Sequence, residues 1–233
     1  MQQLPARNPL YVGITLLVTA IAFVGFWPTY FGPLLAGTVD KLPVIHVHAA
    51  VYVGWLAIFI AQAAFAATRR LDLHVKLGNF SIYYGVLVIL MGVTAAISMF
   101  AVRVHDGHFE EAAGRLVAPL ADMVFFTPLF AAAIGFRRKP EIHKRLMIVA
   151  TTVLLVAAVG RMPLLVARSW PFLLVWCSPL LAGAVYDVVR RRAIPWIYLL
   201  GVGVIAARAF GTAPVRESVA WHEFTAWLAT AVG

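Results

Sequence analysis

The chain has 233 residues, of which 62% are hydrophobic and only 12% charged; soluble domains carry roughly 25% charged residues, so an ordinary water-soluble fold is excluded. The net charge of +9 sits in short clusters between apolar stretches, the pattern of cytoplasmic loops rather than of a nucleic-acid interface, so no nucleic-acid partner is expected. A single cysteine, Cys177, rules out an intramolecular disulfide.

Seven apolar stretches follow in chain order. The first opens at Asn8-Pro9, a cap followed by proline at the first helical position, and runs to about Trp27. It has no A-x-A-like cleavage site and reads as a retained helix. The second runs from Pro43 to Ala67, the third from Leu77 to Val102 and the fourth from Leu116 to Phe136. The fifth spans Leu146 to about Ala167 with Arg161 inside it, and the sixth Pro171 to Val189. The seventh, Ala193 to Phe210, is the shortest; without it the count is six. The expected fold is an all-α, polytopic transmembrane helical bundle over residues 1–211, in a bacterial-type inner (plasma) membrane.

Twelve of the nineteen Lys and Arg residues lie at the N-terminus and after spans two, four and six: Arg7, Arg69, Arg70, Lys76, Arg137, Arg138, Lys139, Lys144, Arg145 and Arg190 to Arg192. The other seven are Lys41, Arg103, Arg115, Arg161, Arg168, Arg208 and Arg216. The positive-inside rule places the N-terminus in the cytoplasm. Residues 212–233 form a tail in which Trp221, Phe224 and Leu228 share one face while Ser218, His222 and Thr225 lie elsewhere. That spacing predicts an interfacial amphipathic helix on the outer leaflet.

Five of seven histidines fall on the outer side: His46, His48, His105, His108 and His222, with acids nearby. Imidazole and carboxylate together suit zinc, copper or iron. On a helix, His46 and His48 point about 200° apart and cannot chelate one ion. Steps of four and three from His48 give Tyr52, Trp55, Phe59 and Gln62, a polar and aromatic stripe that should face the interior. The same steps from His46 give only aliphatic residues, so His48 is the inward ligand or proton-transfer candidate. Asp122 and Arg161 each lie about 9 Å inside the outer end of a span at 1.5 Å per residue. Equal depth makes them expected partners and candidate catalytic or substrate-orienting groups. The plainer alternative is a structural ion pair.

On the cytoplasmic side, His74 in RRLDLHVKLG and His143 in RRKPEIHKRLM each begin an outward-running helix. Across a bundle they could serve as two axial haem b ligands; basic interfacial anchoring is the simpler account. Gly78, Ser81, Gly85 and Gly92 make a small-residue packing face. GVGVIA at Gly201 has no strand before it and is a false dinucleotide match. No lysine lies mid-span, which excludes a retinal Schiff base.

His48 with Gln62 fourteen residues on, Arg69-Arg70, LHVKLG, IHKRLM and Arg161 together resemble a group of uncharacterised prokaryotic multi-span proteins, across spans two to five. The resemblance implies a shared helical bundle and brings no activity; Val75 stands where that group often has Arg. There is a looser similarity to transmembrane cytochromes b. It lacks a histidine on span four opposite His48, so it implies no outer bis-histidine haem. The leading expectation is a metal-binding or redox membrane protein with its site open to the outer face, on His48 with His46, His105, His108 or His222. An accessory or assembly subunit of a larger membrane complex, binding no cofactor, is the second reading. A small-solute transporter is the third, weakened by the absence of an evident repeat.

Overall fold

The computed structural model describes residues 9–166 and 169–232. Arg7, the Asn8 cap, Ala167 and Arg168 lie outside the described residues. Helix α1 (Leu10–Phe26) continues through a π-helical turn (Trp27–Phe31) holding Pro28 into the short α2 (Gly32–Leu35). Then come α3 (Pro43–Ala67), α4 (Leu71–His105), α5 (Phe109–Gly135), α6 (Pro140–Leu154), α7 (Val156–Val159), α8 (Pro163–Val166), α9 (Ser169–Arg191), α10 (Trp196–Arg216) and α11 (Val219–Val232). Among the described residues there is no strand, and seven helical segments are long and apolar enough to cross a membrane. The protein is a multi-pass transmembrane helical bundle.

Proline and left-handed turns mark the boundaries. Pro43 and Pro140 occupy first-turn positions of α3 and α6, where a missing N–H costs nothing. After α3, Arg69 (φ 62°) turns the chain while Arg70 N–H donates to Phe65 O at 2.9 Å. After α4, Gly107 (φ 81°) does the same with His108 N–H donating to Arg103 O at 2.8 Å. Both are Schellman closures.

In lipid, helices associate by close packing rather than by escaping water. Gly25 of α1 lies against the Ala158 backbone, Gly85 of α4 receives the Phe130 ring, and Gly92 receives Met123 and Tyr52. Helices α3, α4, α5 and α6 pack in succession, and α1 lies against α3, α7 and α9. Trp55, Phe126 and Phe130 fill the core they share, in edge-to-face and stacked contacts. The outward surface is apolar as well: Val124, Leu199 and Phe210 are exposed.

Several expectations shift. Span five does not run on through Arg161: the helix breaks at Leu155, and residues 160–162 form a turn. The Thr152 carbonyl at that break accepts from the Trp176 indole at 2.9 Å. Span seven continues through Arg216, six residues past its expected end at Phe210. The tail helix α11 packs on the bundle through Trp221, Thr225 and Leu228. Thr225, expected off the packing face, is fully buried, and Phe224 is exposed.

Candidate functional site

Two histidines meet at the arginine-rich end of the bundle. His74 and His143 occupy the fourth helical positions of α4 and α6, two helices separated by α5, which packs on both. Their ring centroids are 6.5 Å apart and the ring planes are perpendicular. Each ring is held from behind: His74 Nδ1 lies 3.2 Å from Gln62 O, and His143 Nδ1 2.7 Å from Ala133 O. A carbonyl can only accept, so Nδ1–H is the donor in both, and Nε2 keeps its lone pair. Neither Nε2 has a hydrogen-bond partner among the described residues.

Gln62 makes two contacts here. Its backbone carbonyl fixes His74, and its side chain Nε2 donates to Ser81 Oγ at 3.4 Å. The amide oxygen Oε1 is buried with no partner. A local repeat underlies the two histidines: Asp72-Leu73-His74-Val75-Lys76-Leu77 matches Glu141-Ile142-His143-Lys144-Arg145-Leu146 in acid, aliphatic, histidine, basic and leucine positions.

The His48 stripe faces the interior as expected. His48 Nδ1 lies 3.3 Å from Met91 O, and its ring stacks on Tyr52 at 4.2 Å. Tyr52 donates to Val88 O at 3.3 Å and lies 3.7 Å from Met123 Sδ, while Trp55 and Phe59 are buried. The other outer histidines do not join it. His46 Nδ1 pairs with Tyr30 OH at 3.0 Å, and His105, His108 and His222 are exposed. Among the described residues no three His, Cys, Asp or Glu come together as a metal shell.

Asp122 does not pair with Arg161. Its carboxylate receives Arg208 Nε at 2.5 Å, and Arg208 also donates to Ala118 O at 3.1 Å. Arg161 is exposed in the turn after α7, bonded to Ala157 O with its guanidinium 4.7 Å from the Phe26 ring centre. A second buried pair sits at the arginine-rich end, where Arg145, expected in a loop, is 3% exposed. It donates from Nε to Asp187 at 2.9 Å and lies 3.0 Å from Glu141 Oε2. Asp187 escaped sequence reasoning; an acid inside an apolar stretch was the available signal. Both pairs bind helices together.

The chain matches no protein-family model, no curated protein and no solved structure.

Proposed function

We propose that this protein is an integral membrane protein of the metal-binding or redox class whose centre lies between His74 and His143, in place of the outer-face shell. The observation that carries it is the facing pair of imidazoles, each with Nδ1 fixed on a carbonyl and Nε2 aimed away from it. Metal-ligating histidines are held in this way, because the outer hydrogen bond sets the tautomer and the ring direction. The basic loops beside the pair support a cytoplasmic location for this end of the molecule.

Elemental analysis of the full chain purified in mild detergent tests it. Stoichiometric transition metal is expected in the wild-type protein, and its loss in His74→Ala and in His143→Ala. His105→Ala and His222→Ala should retain it. Wild-type protein without metal, or His74 and His143 variants that keep it, would remove the assignment.

A further inference from the structure

We infer that the group held between His74 and His143 is a haem, with the Nε2 atoms of the two rings as its axial ligands and the basic turns beside them as its propionate contacts. This rests on the metal-centre reading above and names its cofactor.

Geometry separates the candidates. Two imidazoles bonded trans to one ion at about 2.0–2.1 Å each put their centroids roughly 6.4 Å apart, whereas a tetrahedral angle brings them to roughly 5.2 Å. The observed separation is 6.5 Å. A trans pair leaves the plane between the ligands to be filled. With no third His, Cys, Asp or Glu converging among the described residues, the protein does not fill it with the usual donors. Zinc in structural sites takes four. A tetrapyrrole supplies the four missing donors itself and asks the protein for two axial imidazoles.

The surroundings suit a ring with an apolar body and two carboxylates. The helices that carry the histidines lead into the apolar core shared by α3 to α6. At the membrane edge, Arg69-Arg70 joins the helix of Gln62 to that of His74, and Arg137 to Lys139 joins the helix of Ala133 to that of His143. Arg69 holds φ 62° in the same closure that uses Gly107 after α4. A side chain is thus kept where backbone geometry prefers none, which points to a use for that side chain. Beside His74, Gly78 leaves space: a Cβ there would meet only Gln62 Nε2, at 3.4 Å.

The rival occupant is a bare cuprous ion, which two trans imidazoles and the Met147 thioether one turn after His143 could hold. The full chain, expressed with added haem precursor and purified in mild detergent, separates the two by visible spectrum, pyridine haemochrome and metal content. Stoichiometric iron with a low-spin bis-imidazole spectrum is expected. His143→Met should keep six ligands with a shifted spectrum. His74→Gly should lose the low-spin bands and regain them with added imidazole, a rescue that a merely misfolded variant would not give. Arg69→Gly with Arg70→Gln should weaken haem retention by about tenfold, without altering the low-spin bands. Copper or zinc without a Soret band overturns the haem while leaving the metal centre. Absence of both metal and Soret band overturns both. A haem spectrum indifferent to both histidine substitutions overturns the axial assignment.

Discussion

Arg208 donates from Nε to Asp122 Oδ1 at 2.5 Å, across 86 positions of sequence, and each residue is 6% exposed. The contact ties α10 to α5 inside the membrane, where an acid or a guanidinium alone would be costly. It also makes the seventh span integral to the bundle.

Removing one partner of such a pair strands the other. Asp122→Asn or Arg208→Met should each lower stability by about 3–5 kcal/mol, and the double change Asp122→Leu with Arg208→Met should recover most of it. Arg161→Gln should cost less than about 1 kcal/mol, the scale of one exposed cation–π contact. Unfolding midpoints in detergent micelles give all four values. A double variant no better than the weaker single would contradict the buried-pair account.

How far the sequence reaches is visible at this pair. Apolar length and proline located the spans, because membrane thickness and helix rise set those lengths directly. The period of 3.6 residues also turned the His48 stripe inward, since residues three and four apart share a face. Partner choice was different. Position along a span gives level, but it says nothing of which neighbour stands opposite, and Asp122 had several arginines outside the basic clusters to choose from, Arg161 and Arg208 among them. The expected one, Arg161, lies beyond a helix break at Leu155 that no proline or glycine at that position announces. For His74 and His143 the difficulty was distance in sequence: only the successive packing of α3 to α6 brings two helix entrances together.

Glycines test the packing. A Cβ on Gly25 would run into the Ala158 backbone carbonyl, while one on Gly85 would meet only the end of the Phe130 ring. Overpacking costs about 1–3 kcal/mol when neighbours can shift. Gly85→Ala should fall in that range and be relieved by Phe130→Leu. Gly25→Ala should cost more, and no side-chain substitution at position 158 should relieve it, because the obstacle is main chain. Thermal melts of the four variants decide the order; equal penalties would show that α1 can move away from α7.

The two Schellman closures make a matched pair. Left-handed backbone costs a non-glycine residue roughly 1–2 kcal/mol. Arg69→Gly should therefore stabilise the cofactor-free protein by about 1 kcal/mol, and Gly107→Ala should destabilise it by about the same amount. If Arg69→Gly instead destabilises that form, the Arg69 side chain contributes more to the fold than its backbone strain takes away.

The positive-inside rule predicts the orientation from the basic ends, and labelling tests it. With Cys177→Ala as background, a cysteine at Gly107 should react with a membrane-impermeant thiol reagent in intact cells. A cysteine at Arg138, between α5 and α6, should stay protected until the cells are opened. The reverse pattern would turn the protein over and place the imidazole pair outside.

The tail helix α11 is held by little: the Trp221 indole donates to Ala113 O at 3.0 Å, and Thr225 and Leu228 are buried against the bundle. Leu228 packs in a small cluster with Ala96, Phe100, Ala112 and Leu116, apart from the main core. Ending the chain after Glu217 should expose that cluster and speed proteolysis between α4 and α5. The spans themselves, including the Asp122–Arg208 contact, should hold. Because α11 sits on the end of α4 remote from His74, this truncation should leave metal content and visible spectrum unchanged. If the full chain holds metal and the truncated protein loses it, the two ends of the bundle are coupled, which the proposed centre, braced by Gln62 O and Ala133 O, does not require.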